Sequence, residues 1–207
     1  FSHLKPYYSK MGLVNLGLNM NVISEKEEKN SIKKILDEKI HYKICKNISK
    51  NDISSKEIID HSIFLIEKNA LVNVSFYSFI GSYYMNKILR NNLKALNQNN
   101  IYLKNISKLN KIILNSPDLK NDYFLYRFIW DDYFIKNLKI GDIFTDKGFT
   151  STTRDPFYSP GTEIKFGIVL AKIKISKKTK GILLENFSVF PKEEEFILPP
   201  NSKLKLI

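Results

Sequence analysis

Phe149-Thr150-Ser151-Thr152-Thr153 and, about forty residues later, Glu193-Glu194-Glu195-Phe196-Ile197-Leu198 decide how this chain is read. The first stretch follows a turn, Asp146-Lys147-Gly148, and its aromatic and β-branched residues suit a short strand. The second carries carboxylates into an apolar strand. Side chains alternate along an extended chain, so Ser151 and Thr153 share one face and Thr150 and Thr152 the other. By the same alternation Glu193 and Glu195 fall on one side and Glu194 opposite. Phe196 and Leu198 are apolar, so a face change or bulge is expected near Glu195 if both are buried on that same side.

Around these stretches the period of two persists. Tyr123–Trp130 is aromatic-rich and strand-like, and Phe166–Ile175 ends with Ile173 and Ile175 alternating against Lys172 and Lys174. Gly181–Glu185, Glu195–Leu198 and Lys203–Ile207 read as three further strands. Upstream, from about residue 25 to 115, the period is helical. Ser54-Ser55-Lys56-Glu57 has the form of a capping box, followed by Ile59, Ile63 and Ile66 at helical spacing. Met85, Ile88, Leu89, Leu93 and Leu96 make a second stripe. Tyr102, Ile106, Leu109 and Ile113 make a third, closed by the turn signal Ser116-Pro117-Asp118. Helices first, then many short strands, predicts an α+β domain: helices packed on a mainly antiparallel two-sheet β-sandwich. Residues 1–21 read as a lead-in segment and 22–207 as one domain, helical to about 120 and β-rich from about 121.

Bulk composition narrows the class. The chain has 207 residues, 43% apolar and 13% aromatic, enough to bury a core and too apolar for disorder. No apolar run approaches the ~18–20 residues of a membrane span, and no signal-peptide pattern is visible. Phe1 in place of an initiator methionine suggests a processed product or a domain cut from something longer. A single cysteine, Cys45, excludes an internal disulfide, and with scattered His3, His41 and His61 it gives no metal-ligand spacing; no metal is expected. The net charge of +12 admits nucleic acid, an anionic membrane or an acidic protein as partner. The lysines are dispersed, however, and the Lys-, Asn- and Ile-rich usage fits an AT-rich genome as readily as a functional basic surface.

Three groups carry candidate chemistry. Two carboxylates converging beside an apolar strand suit acid–base work or the stabilisation of a developing cation; alone, Glu193-Glu194-Glu195 is equally a solvated acidic cluster. A small hydroxyl such as that of Ser151 can hold a catalytic carboxylate by hydrogen bond, although Thr150–Thr153 is otherwise an ordinary strand. Arg127, flanked by Tyr126 and Phe128 in an apolar strand, must find a partner. A pyrophosphate would match its fork; a salt bridge with Asp131 or Asp132 is the alternative.

The order and spacing of these pieces resemble the mono-ADP-ribosyltransferases of the arginine–serine–glutamate class, which include bacterial exotoxin-like exoenzyme domains. The matching residues are Tyr126-Arg127, Gly148-Phe149-Thr150-Ser151-Thr152-Thr153 as the Ser-Thr-Ser-like motif, and Glu193-Glu194-Glu195 as the Glu-x-Glu motif. Tyr84-Met85-Asn86-Lys87-Ile88-Leu89-Arg90 is similar to a fourth family segment, so the likeness covers roughly residues 75–207. It implies the ADP-ribosyltransferase fold with NAD as co-substrate and no metal. It also implies that Arg127 grips the NAD phosphates beside Tyr126, Thr152 and Thr153, and that Ser151 orients the catalytic glutamate. Glu195 would bond the ribose 2′-hydroxyl and stabilise the oxocarbenium-like centre, while Glu193 would position or deprotonate the acceptor. A Glu at that first position resembles the arginine-modifying subgroup. Phe190 corresponds to the aromatic of the target-recognition turn, with a core anchor beside Pro191 as the other reading. Arg154, with Phe157 and Tyr158, would lie in the loop over NAD. Thr152, where the family's last serine is usual, and Phe128, where many relatives have arginine or glycine, are departures.

The resemblance implies transfer of ADP-ribose to a host or target protein, most readily at arginine, in the cytosol of the target or host cell after secretion or delivery. Toxin-like effectors of viral or bacterial origin fit this description. NAD glycohydrolysis, nucleic acid as acceptor, and a catalytically silent basic binding module on the same fold are the alternatives, since fold alone does not fix function.

Overall fold

The computed structural model describes residues 49–91, 100–129, 137–156 and 169–207. Ser54 starts helix α1 (Ser55–Glu67): its Oγ accepts from Glu57 N at 3.3 Å and donates to Glu57 Oε2 at 2.7 Å, so the capping box is formed. Asn69 in the left-handed region (φ 49°) ends it. Helix α2 (Leu71–Phe76) runs through a π-helical turn (Tyr77–Gly81) into α3 (Ser82–Arg90). Helix α4 (Ile101–Leu114) starts where Asn100 accepts from Tyr102 N at 2.8 Å.

Seven strands follow: β1 (Tyr123–Ile129), β2 (Ile143–Asp146), β3 (Thr150–Thr153), β4 (Val169–Ile175), β5 (Ile182–Leu183), β6 (Glu195–Leu198) and β7 (Ser202–Lys205). Five form one sheet in the order β4-β1-β3-β6-β5, and β2 pairs with β7 in a second; the described pairings are all antiparallel. The α+β architecture with two separate sheets agrees with the sequence expectation. Strand β2 was not anticipated. Its Ile143-Phe144-Thr145-Asp146 run does not alternate between apolar and polar residues, and two of the four residues are exposed.

The large sheet is covered on both sides. Leu65, Val74, Tyr77, Met85, Leu109 and Ile113 from the helices pack with Phe149 and Ile197. On the other side Leu125, Ile173, Ile175, Phe196 and Leu198 pack with Ile53 and Leu119, and Leu204 of β7 closes this layer. All four residues of β6 are therefore buried. Truncating one of these fully buried leucines to alanine costs about 2–5 kcal/mol.

One helical stripe differs from expectation. Ile59, Ile63 and Ile66 lie half-exposed on α1, whereas the buried positions are Glu57, His61 and Leu65. Polar side chains face inward here because each finds a specific partner. Glu57 accepts from Lys120 N and from the Tyr123 hydroxyl, each at 2.7 Å, and His61 Nδ1 accepts from Leu183 N at 3.4 Å. The α4 stripe falls on its buried and half-buried positions, as does the described part of the α3 stripe, Met85, Ile88 and Leu89. Leu93, Leu96, Trp130, Asp131 and Asp132 lie outside the described residues.

Candidate active site

Strands β1, β3 and β6 are consecutive in the sheet, and the expected chemistry falls across them. Ser151 on β3 donates its hydroxyl to Glu195 Oε1 on β6. Arg127 on β1 donates from Nη1 to the Ser151 carbonyl at 3.0 Å. Arginine, serine and glutamate thus form one chain of hydrogen bonds through Ser151. The register sets this: Thr153 lies opposite Glu195, and Ser151 two residues on lies opposite Ile197, within diagonal reach of the carboxylate. Glu195 is only 6% exposed.

Arg127 stands among one further cation, Arg90, and two carboxylates, Asp146 and Glu195. Burial draws its guanidinium pKa down from the ordinary value; nearby Asp146 works against this, and Arg90 adds like-charge repulsion. Arg90 holds Asp146 in a two-point pair, Nε to Oδ1 and Nη2 to Oδ2, each 3.0 Å. Burial opposes ionisation of Asp146, yet the Arg90 contacts and Gly148 N (3.0 Å) keep its carboxyl below the usual range. Thr150 Oγ1 also donates to it at 3.0 Å. Arg127 and Arg90 thus share this partly buried wall with two carboxylates, Asp146 and Glu195, and their planar forks match the geometry of a phosphate group.

Helix α3 is locked against this wall. Asn86 Oδ1 accepts from Phe149 N at 2.7 Å. A Cβ on Gly148 would lie 2.7 Å from that same oxygen and 3.0 Å from Arg90 Cζ, so only glycine allows the approach. Tyr77, in the π-helical turn, stacks edge-on to Phe149 with centroids 5.5 Å apart. Burial first, and then the Glu195 charge, push its phenol well above the usual pKa, which keeps a neutral hydroxyl beside the site. Sequence reasoning gave Arg90, Asn86, Asp146 and Tyr77 no role. Arg90 and Asn86 sat inside a matched segment, and a signal for Asp146 was the turn it opens.

The Glu-x-Glu stretch is not one strand. Pro191–Glu193 forms a 3-10 turn, Glu194 is left-handed at φ 46°, ψ 50°, and β6 starts at Glu195. From Glu195 on the alternation is regular, with Phe196 and Leu198 buried on the face opposite Ile197, so no bulge is needed within the strand; the phase breaks one residue earlier, at Glu194. Strand alternation does not govern Glu193, because that residue lies in the turn. Thr153 Oγ1 donates to the Glu193 carbonyl at 2.7 Å, tying the turn to β3. Phe190 begins the turn 40% exposed, and its carbonyl accepts from Glu193 N at 3.0 Å.

The remaining expected contacts with NAD meet different surroundings. Tyr126 is 1% exposed and its hydroxyl accepts from Ser49 N at 3.2 Å. Thr152 is buried and donates to the Phe196 carbonyl at 2.6 Å, because alternation turns it away from the face of Ser151. Arg154 is 7% exposed and grips Glu185 at 2.6 and 2.7 Å, so its fork is already filled. These three, with Thr153, hold the frame of the site. Phe157 and Tyr158 lie outside the described residues. Among the described residues no cluster of three or more His, Cys, Asp or Glu could hold a metal ion, and no single helix is long and apolar enough to cross a membrane.

Comparison with known proteins gives a concordant result. Residues 25–206 match the family model described as ADP-ribosyltransferase exoenzyme. The uncharacterized protein R217 of Acanthamoeba polyphaga mimivirus is 37% identical over 221 aligned residues, covering 99% of this chain; the chain spans 28% of that relative's length. Among solved structures, the Plx2a ADP-ribosyltransferase toxin of Paenibacillus larvae superposes with a TM-score of 0.58 at 19% identity, covering 85% of each chain. The C3 exoenzyme of Clostridium limosum gives 0.56 at 18% identity, covering 72% of this chain and 79% of its own. At these identities the structural likeness speaks for the fold.

Proposed function

Because the chain belongs to the ADP-ribosyltransferase exoenzyme family, we propose that it transfers ADP-ribose from NAD to a protein side chain, arginine being the preferred acceptor, and releases nicotinamide. One observation carries the reading. Arg127, Ser151 and Glu195 stand on three adjacent strands and are joined through Ser151, with a second cation, Arg90, close by. Arg127 and the Arg90 wall bind the NAD pyrophosphate by charge-assisted hydrogen bonds. The bond from ribose C1′ to the nicotinamide nitrogen breaks and its electron pair leaves with nicotinamide, so C1′ becomes cationic. Glu195, oriented by Ser151, stabilises that cation from a buried position where electrostatic effects are strong. The acceptor nitrogen then attacks C1′, and Glu193, at the partly exposed turn, takes its proton. Phe190 beside it contacts the target surface.

The test is incubation with labelled NAD and a target-cell lysate, with Glu195→Gln as control. Label on a discrete protein, absent in the variant, supports transfer and identifies the target by mass spectrometry. Nicotinamide release without labelled protein would narrow the activity to NAD hydrolysis. Neither product from a folded chain would refute the enzyme reading and favour a silent binding module.

A further inference from the structure

Glu194, the middle residue of the Glu193-Glu194-Glu195 stretch, has no part in the mechanism above, yet it is among the most constrained residues near the site. It is a non-glycine residue at φ 46°, a conformation that side chains of its type rarely adopt. Its side chain is 17% exposed and pairs with Lys50 through Oε1, while Oε2 lies 3.6 Å from Arg154 Nε with no hydrogen-bond partner of its own. The backbone is held on the same side, with Arg154 N donating to the Glu194 carbonyl at 3.3 Å. Arg154 in turn is fixed by its two bonds to Glu185 and by one from Nη1 to the Asn51 carbonyl at 3.1 Å. Lys50 also stands 4.0 Å from Asp155.

Four chain segments thus meet behind the catalytic turn: the Lys50–Asn51 stretch, the end of β3, Glu185 after β5, and Glu194 itself. The left-handed residue is the only hinge between the 3-10 turn that carries Glu193 and the strand that carries Glu195. Its dihedrals therefore decide where the one carboxylate stands relative to the other. We propose that Glu194 is a positioning residue, braced by Lys50 and by the Glu185-locked Arg154, which sets Glu193 against Glu195 and so partitions the activated ADP-ribose between an acceptor side chain and water. The brace lies behind the turn, so loosening it displaces Glu193 and leaves the Ser151–Glu195 bond, and with it cleavage of NAD, in place. Displacing a reacting group by about 1 Å is worth on the order of 100-fold in rate, so the effect is readable.

The inference rests on the proposed transferase activity, and its test separates the two. Lys50→Ala removes an exposed leg of the brace. Glu194→Asn keeps a residue that tolerates the left-handed region and withdraws the carboxylate from both cations. Each is assayed with NAD for nicotinamide release and for transfer to agmatine, a small guanidine, and the amide exchange of residues 192–195 is followed without NAD. The expected result is a transfer-to-hydrolysis ratio reduced by up to about 100-fold with KM for NAD unchanged, and faster amide exchange in the turn. Wild-type ratios in both folded variants would overturn the proposal, as would equal loss of transfer and hydrolysis. A wild-type protein inactive toward NAD would refute the transferase reading instead. Unchanged exchange in Lys50→Ala would then still refute the brace.

Discussion

Acidification should destabilise this protein through His61, in a pH window above that of its carboxylates. His61 lies on α1 at 1% exposure, edge-on to Phe196 with ring centroids 6.5 Å apart, and its Nε2 has no hydrogen-bond partner. Burial lowers its pKa from 6.5 to about 4; the charges of Glu57 and Asp60 act against this and Lys180 acts with it. The fold therefore holds a neutral imidazole, while the unfolded chain takes up a proton near its ordinary pKa. Between those two values the unfolded state binds more protons. The stabilisation is complete above about 6.5 and is lost as pH falls toward about 4. At about 1.4 kcal/mol per unit, the loss is about 2 kcal/mol between pH 7 and pH 5 and about 3 kcal/mol in all. Against the roughly 5–15 kcal/mol of a typical domain this is a measurable fraction. Glu57, whose burial is outweighed by its contacts with Lys120, Tyr123 and Ser54, has a lowered pKa, so its contribution disappears only as pH falls below 4.5. Urea unfolding of the wild type and of His61→Gln at pH 7, 6 and 5 is the assay. Glutamine can still accept from Leu183 N but carries no titrating group. The wild type should lose about 2 kcal/mol over this range and the variant far less; parallel losses would refute the assignment to His61.

Other expectations concern the site directly. Glu193→Gln should retain nicotinamide release and lose transfer to the acceptor; equal loss of both, measured by paired assays, would remove the division of labour between the glutamates. Arg127→Ala deletes a partly buried charged donor and should weaken NAD binding by about 1.5–3 kcal/mol, read by calorimetry; unchanged affinity would return Arg127 to a purely structural part. Gly148→Ala places a methyl against Asn86 and Arg90 and should cost about 1–3 kcal/mol of stability, visible as a lower urea midpoint. An unchanged midpoint would mean that α3 can retreat from β3.

Much of the site was legible because its parts are local. The span of β6 was readable to the residue, since Glu195–Leu198 is bounded by a charged turn and by prolines. The assignment of Ser151 to one face and Thr152 to the other follows from the pleat alone, and the buried hydrogen bond of Thr152 agrees with it. The capping box of α1 is likewise a four-residue signal. Its inward face was not legible, because Glu57 and His61 are buried by partners on β1, β5 and the loop before β1. A hydrophobicity pattern cannot see a satisfied polar group.

The sequence by itself determined the class of fold, the run of helices followed by strands and the two faces of β3, because periodicity and turn chemistry act over a few residues; the roles expected of Arg127, Ser151 and Glu195 came from the family resemblance. Only the tertiary structure decided which neighbours use those residues. It set Arg154 against Glu185, brought Arg90 beside Arg127 through Asp146, and placed the break in phase at Glu194. Each of these depends on pairings between side chains some thirty to a hundred residues apart, which strand register and sheet order fix and local sequence does not encode.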